Sequence, residues 1–522
     1  MRTPLLVWLT INLLSASIAA CGDDAGSGPL PGIGGAGGAA EGSDGAGGAA
    51  EGSDGAGGAA EGSGAAESAG GAAEGSGGAG GAAEGGVEAA GAGDLVEQLR
   101  AIPGLTVEEQ DSDLPGYRYL VMEIEQPADH GEPDGARFQQ RLVLHHRDPA
   151  APVVLVTEGY SIYPESQWLD EPAELLAANQ IRVEHRFFTP SRPAPADWSM
   201  LTIEQAAADL HHVIASIRPL YQGKWISTGV SKGGMTSVYH RRFFPADVDG
   251  TVAYVAPHSL GGPDPRYLDF VAERGEPACR QALQDFQREA LLRRSAMVER
   301  MEDEAAEEGF TYDVLGVERT LEVAVLDTVF SFWQYQRASL CADVPTAASS
   351  DEEVWAFLEQ VASPSLWSDP YLLAFEPYHW QAATQLGYPG VAEAHLADLL
   401  RHPGTDVPPA FLLPGPGKTP AYDPGAMQDV SRWLTSEGER LLFIYGENDP
   451  YTAAAFELGH ARDTHRFIAP EGNHGAVIGD LAPADREQAL KALEAWTGVA
   501  PSPHAPTSFR RPLRDPRWRM RL

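Results

Sequence analysis

An α/β architecture follows from three features of the 522-residue chain: short apolar runs, helical stripes that alternate with them, and a glycine-rich turn joining one run to the next stripe. In chain order, Tyr117 to Ile124 and Phe138 to His146 alternate apolar and polar residues across Gly131-Glu132-Pro133-Asp134-Gly135, which predicts an antiparallel hairpin at the start of the sheet. Pro152 to Val156, Ile181 to Phe188, Lys224 to Thr228, Thr251 to Val255, Leu441 to Tyr445 and His465 to Ala469 follow. Each is short enough for a strand. Several are apolar on both faces, as parallel strands covered by helices on either side must be, so the expectation is a mostly parallel eight-stranded sheet. The helical signal is clearest at Ile203, Ala206, Ala207, Leu210, Val213, Ile214 and Ile217, which form one stripe at helical period. Another stripe near the end runs through Ala489, Leu490, Leu493 and Trp496.

Between Pro257 and Arg440 the pattern changes. Leu283, Phe286, Ala290, Met297 and Met301 share a helical face, and aromatic clusters follow at Phe330 to Trp333 and Phe375 to Trp380. Because the chain must return to complete the sheet, this stretch reads as an inserted helical cap rather than a second domain. The expected organisation is a core in two parts, 95–260 and 440–500, with the cap at 261–439.

The ends differ from the folded part in composition. Residues 1–21 carry Arg2, the apolar run Leu5-Leu6-Val7-Trp8-Leu9 and small residues before a cysteine, as an export signal requires. Ile18-Ala19-Ala20-Cys21 resembles a bacterial lipobox, which makes Cys21 the expected site of lipidation; an ordinary cleavage site beside an unrelated cysteine is the alternative. From 22 to 94 the chain is almost entirely Gly, Ala, Ser and acid, with a ten-residue repeat from Gly35. Such a tract cannot bury enough apolar surface to offset the ordering of glycine, so a disordered tether with a mean reach of about 45 Å is expected. The 501–522 tail concentrates Arg510, Arg511, Arg514, Arg517, Arg519 and Arg521. The formal charge of −37 argues against nucleic acid as a partner, since phosphate binding needs a basic surface. With Cys21 taken by lipid, Cys279 and Cys341 remain. Export offers them an oxidising compartment, and both a disulfide and two separate buried thiols fit.

Chemistry concentrates at Gly229-Val230-Ser231-Lys232-Gly233-Gly234, which closes a strand-like run and opens a helix-like one. That context makes it a nucleophile elbow, the signature of the α/β-hydrolase fold, rather than a chance Gly-x-Ser-x-Gly. The sharp turn aims the Ser231 hydroxyl outward and leaves the Lys232 amide free to stabilise an oxyanion. In this fold the partners follow in the order Ser, acid, His. Asp449, in the turn after Leu441 to Tyr445, is the expected acid in preference to Glu447, which stands nearer the strand and suits a turn cap. His474, after the last strand, is the expected base. The loop Thr157-Glu158-Gly159-Tyr160 should supply a second oxyanion donor, from the Gly159 or the Tyr160 amide. The sequence has no His-Glu-x-x-His or paired Cys-x-x-Cys, so neither a metal nor another cofactor is expected.

Gly229 to Thr236, Thr157 to Tyr160, Val183 to Phe188, Phe332 to Tyr335, Thr384 to Tyr388 and the Asp449 and His474 segments together resemble the secreted bacterial prolyl tripeptidyl and tetrapeptidyl aminopeptidases, the PS-10 type of serine peptidase family thirty-seven. The resemblance implies cleavage of short peptides from a free N-terminus, often after proline, beneath a restricting cap. An exopeptidase needs a carboxylate for the substrate ammonium, and Glu158 is the first candidate; a buried acid that braces its loop is the alternative. Trp333 and Tyr335 are candidates for a proline pocket. An esterase or lipase of the same fold, and a displayed binding protein with a vestigial triad, are the competing readings of the chain.

Overall fold

The computed structural model describes residues 94–415 and 418–502. Cys21, the repeats up to residue 93 and the arginine-rich tail from residue 503 lie outside the described residues. The folded part opens with α1 (Leu95–Arg100), β1 (Leu105–Gln110), β2 (Arg118–Pro127), β3 (Arg137–His146) and β4 (Val153–Thr157). The sheet then continues through α2 (Glu171–Leu176), β5 (Asn179–Val183), α3 (Ile203–Ile217), β6 (Trp225–Val230), α4 (Lys232–Phe243) and β7 (Gly250–Tyr254). Among the described residues seven α-helices separate β7 from β8: α5 (Arg266–Glu273), α6 (Pro277–Leu292), α7 (Arg294–Glu308), α8 (Val317–Tyr335), α9 (Asp351–Ala362), α10 (Asp369–Gln381) and α11 (Pro424–Glu437). The chain closes with β8 (Leu441–Gly446), β9 (His465–Ala469) and α12 (Pro483–Thr497).

All eight expected strands are present, with one more. The sheet runs β1-β2-β3-β5-β4-β6-β7-β8-β9, antiparallel as far as the β3–β5 pair and parallel from β5 onward. The additional strand, β1, is an edge strand whose only buried residue is Leu105, so its mostly polar sequence carries no apolar run to announce it. The expected strand at Ile181 to Phe188 ends instead at Val183. Beyond it the chain turns inward, where the buried Glu184 carboxylate accepts from Arg141, Ser191 and the Ile162 amide, and Phe187 takes φ 71°.

Strand alternation sorts the core into two layers. Val154, Val156, Ile226, Val252, Leu442 and Ile444 pack against Ala173, Leu175 and Leu176 of α2 and Leu493 and Trp496 of α12. On the opposite face Leu155 and Ile181 meet Leu210, Val213 and Ile217 of α3, while Phe443 and Tyr445 meet Met427, Val430 and Leu434 of α11. β5 lies on one side of β4 and β6 on the other, so consecutive parallel strands diverge there. In open α/β sheets ligands bind outside the carboxyl ends of the strands at the point where the connections part, which here falls at β4.

The segment between β7 and β8 has its own core, in which Leu283, Phe286, Ala290, Met297 and Met301 are all fully or nearly fully buried with Leu321, Phe332 and Phe357. Cys279 on α6 and Cys341, just past α8, form a disulfide with a Cα–Cα distance of 5.3 Å. Bridging across 62 residues should stabilise this segment by up to about 4 kcal/mol in the chain-entropy model. The double substitution Cys279→Ala/Cys341→Ala is therefore expected to lower the denaturant midpoint, and added reductant should lower wild type but leave the variant unchanged.

His145 on β3 gives a second test. Its ring is 1 % exposed, packs at a tilt on Tyr119 at 4.7 Å, and among the described residues neither nitrogen has a hydrogen-bond partner. Burial, followed by the Arg182 charge, pushes its pKa down to about 4. Between pH 4 and 6.5 the unfolded chain thus binds a proton at this site that the folded chain refuses, so stability falls as the pH is lowered through that window. His145→Phe is expected to remove about one proton from the difference in proton uptake between the two states, read as a shallower acid limb in melts at several pH values.

Candidate active site

The strand-to-helix turn after β6 holds Ser231 at φ 57°, ψ −124°, a conformation an L-residue adopts only when its surroundings enforce it. Those surroundings are backbone. A Cβ on Gly229 would lie 2.4 Å from the Gly233 carbonyl carbon, and one on Gly233 would lie 2.5 Å from the Thr157 carbonyl oxygen. Thr157 Oγ1 donates to the Gly233 carbonyl at 2.8 Å, and the Ser231 amide donates to Tyr254 O on β7 at 2.8 Å. The ends of β4, β6 and β7 and the start of α4 are thereby locked together, with Ser231 half-buried at the rim and the Lys232 amide at the first position of α4.

Asp449 and His474 meet directly. His474 Nδ1 lies 2.7 Å from Asp449 Oδ2, and both side chains are at least 96 % buried, so the ion pair or hydrogen bond forms away from water. The Asp449 carboxylate is fixed in turn by the Tyr451 amide, which donates to Oδ1 at 3.1 Å. Contact between the two loops is possible because Gly446 ends β8 without a side chain: a Cβ there would sit 2.3 Å from Asn473 O. Asn448 N donates to Gly472 O at 2.8 Å, and Glu447 accepts from the Glu471 amide at 2.8 Å, so Glu447 caps the histidine loop. From the cap side, the His474 amide donates to Gln334 O at 2.9 Å and Asn473 Nδ2 to Tyr335 O at 3.0 Å.

Ser231, Asp449 and His474 thus stand on one rim, each just past the carboxyl end of a parallel strand. Among the described residues no hydrogen bond joins the Ser231 hydroxyl to His474. Gly159 packs on the elbow, where a Cβ would meet Lys232 Cβ at 2.6 Å, and this brings the Gly159-Tyr160 loop against the start of α4.

Two expectations for substrate contacts need correction. Glu158 is ion-paired with Arg182, whose guanidinium also holds Asp170 and stacks at 4.2 Å on Trp168. Arg182 is 3 % exposed on β5, and a charge so buried needs carboxylate partners, so Glu158 braces its loop and is not an open ammonium acceptor. Trp333 is 1 % exposed and packs inside the helical core of the segment between β7 and β8. Residues two apart on a helix face opposite ways, so Trp333 and Tyr335 on α8 cannot both reach the site. Tyr335 does, its ring edge-on to His474 at 6.1 Å.

The sequence reading missed most of the aromatic wall. Tyr451 lies over His474 at 4.8 Å and is hydrogen-bonded to Tyr378. Tyr160 in turn packs on Tyr378 at 5.9 Å and on Phe375 at 5.3 Å. Burial raises the Tyr378 pKa to about 12 and those of Tyr160 and Tyr451 well above the usual phenol, so these hydroxyls remain protonated donors. Phe375 and Tyr378 belong to the aromatic cluster read between Phe375 and Trp380, and Tyr451 stands two residues after Asp449; the sequence held these signals but not their meeting.

Residues 88–519 match the family described as PS-10 peptidase S37. The chain is 43 % identical over 414 residues to the prolyl tri/tetrapeptidyl aminopeptidase of Streptomyces mobaraensis, covering 78 % of this chain and 86 % of that protein. Among solved structures it overlaps loosely with acetyl xylan esterase 1 of Thermoanaerobacterium sp. (10 % identity, 77 % of this chain and 90 % of that one, TM-score 0.33). It overlaps similarly with proline iminopeptidase of Mycobacterium smegmatis (14 % identity, 75 % and 98 %, TM-score 0.30). The extent of the family match and the 43 % identity together establish that the chain belongs to the S37 family of serine peptidases.

Proposed function

We propose that this peptidase removes tri- or tetrapeptides from the free N-terminus of peptide substrates, with proline favoured on the acyl side of the cut bond. The observation that carries this reading is the 43 % identity to an enzyme of that name across most of both chains. In the proposed mechanism Ser231 attacks the scissile carbonyl while His474 Nε2 takes its proton. Asp449, 2.7 Å from Nδ1, holds the ring orientation and stabilises the imidazolium that forms. The Lys232 amide and a donor from the Gly159-Tyr160 loop receive the developing oxyanion, and His474 then returns the proton to the leaving amine, a role worth about 10²–10⁴ in rate. Tyr335 and Tyr451 lie beside His474, with Tyr378 bonded to Tyr451 and Phe375 packed on Tyr160 behind them, and this flat apolar surface suits a prolyl ring.

Export and anchoring belong to the same proposal. Cys21 would carry lipid, the glycine-rich segment would act as a leash, and the enzyme would be displayed on a membrane, with short peptides as its substrates. The lipobox-like Ile18-Ala19-Ala20-Cys21 followed directly by the leash supports this reading.

Turnover of a proline-containing tripeptide anilide, set against a short acyl ester, tests the activity. Wild type is expected to cleave the anilide at least tenfold more efficiently, and the reverse preference would make the chain an esterase. Ser231→Ala should abolish both anilide cleavage and fluorophosphonate labelling. For the anchor, Cys21→Ser is expected to move the protein from the membrane fraction to the soluble fraction of an expressing bacterium; an unchanged distribution would remove lipidation at this site.

A further inference from the structure

The side chain of Lys232 has no role in the mechanism above, yet it is buried in the wall of the site. It is 3 % exposed, and among the described residues its ammonium makes no ion pair. Its one hydrogen bond runs from Nζ to the Gly159 carbonyl at 2.8 Å. The rings of Tyr160 and Phe188 flank Nζ at 5.7 and 5.6 Å, and His185, Thr236, Tyr239 and Gln381 line the recess around it. Burying a lysine in such surroundings is costly, and burial does lower its pKa well below the usual value. A methionine or leucine would fill the same space without that cost, so packing alone does not account for the amine.

The hydrogen bond has a geometric consequence. A trans peptide is planar, with its C=O and the following N–H pointing in opposite directions. Fixing the Gly159 carbonyl on Lys232 therefore turns the Tyr160 N–H away from the lysine recess. That amide has no acceptor among the described residues, and neither does the Lys232 amide at the first position of α4. Donation to the carbonyl also polarises the peptide, which strengthens its N–H as a donor.

We propose that Lys232 is a positioning residue for the oxyanion site: its own amide is one donor, and its Nζ orients and polarises the Gly159-Tyr160 peptide so that the Tyr160 N–H is the second. The inference rests on Ser231 being the nucleophile of the peptidase proposed above. Because the lysine follows the nucleophile directly, one residue fixes both donors relative to the attacking hydroxyl.

The test compares Lys232→Met and Lys232→Arg with wild type in full-length protein. Three quantities are read: thermal midpoint, kcat and KM on the tripeptide anilide, and the rate at which a fluorophosphonate labels Ser231. Lys232→Met is expected to melt no lower than wild type, because a buried amine is lost. Its kcat and its labelling rate should fall together by about 10–100-fold, below the 10²–10³-fold cost of deleting a donor outright, with KM within about threefold. Lys232→Arg, which keeps an N–H donor at this position, should recover part of the lost labelling rate. A folded Lys232→Met protein with wild-type kcat and labelling rate overturns the proposal, as does a loss confined to KM. Should Lys232→Met not fold, Tyr160→Pro, which deletes the second donor and retains the lysine, decides the matter: unimpaired labelling overturns it. If wild type labels but does not cleave the anilide, the peptidase reading fails, and the labelling rates of the variants still decide the role of Lys232.

Discussion

Backbone-to-backbone contact between the ends of β4 and β6 and the first turn of α4 is the constraint from which the site follows. At Gly229 and Gly233 a side chain would be driven into main-chain atoms, and only at that approach can Thr157 Oγ1 bond the Gly233 carbonyl. Ser231 is thereby forced into a left-handed turn that costs on the order of 1–3 kcal/mol. Buried strands on either side, five of the six residues of β6 and all five of β7 among them, hold it there. The strain exposes the hydroxyl at the rim of the sheet, frees the Lys232 amide and brings Gly159 within contact of the lysine stem.

His474 reaches the same rim of the sheet by a different route. The loop bearing His474 hangs between the end of β8, where Gly446 lets Asn473 approach, and the last turn of α8 in the cap. Carbonyls in a final helical turn lack intrahelical partners, and those of Gln334 and Tyr335 are taken by the His474 amide and the Asn473 side chain. The helical insertion therefore does more than cover the site: it completes the support of the histidine. The same insertion is bridged by Cys279–Cys341, and the loop it supports carries the histidine that meets Asp449.

Buried charge explains why some side chains beside the site do not face substrate. Arg182 on β5 draws both Glu158 and Asp170 to itself, and Arg186 draws Asp209 from α3. Each pair ties a loop at the carboxyl edge to the sheet or to a helix beneath it. An acid next to the oxyanion loop looks available for recognition when only its chain position is known. Its cation, 24 residues away, becomes its neighbour only because β4 and β5 are parallel and in register, with Val156 opposite Arg182.

Whatever depends on local pattern was legible in the chain. Alternation of apolar and polar residues marked the entry hairpin, and short apolar runs marked the six parallel strands, because a strand covered on both faces must be apolar throughout. The stripe on α3 and the shared face of Leu283, Phe286, Ala290, Met297 and Met301 marked buried helices, and Gly-x-Ser-x-Gly between strand and helix marked the elbow because glycine alone fits such contacts. The order Ser231, Asp449, His474 was likewise visible, since each follows a strand at the same rim. Only the tertiary structure decided what depends on distant partners: that Glu158 is spent on Arg182, that Tyr335 and not Trp333 faces His474, and that Tyr378 and Tyr451 meet over the histidine. Local sequence encodes the period of burial and the conformations a backbone can adopt. Which charges and rings become neighbours is set by strand register and helix rotation across long stretches of chain, and neither is written in any short segment.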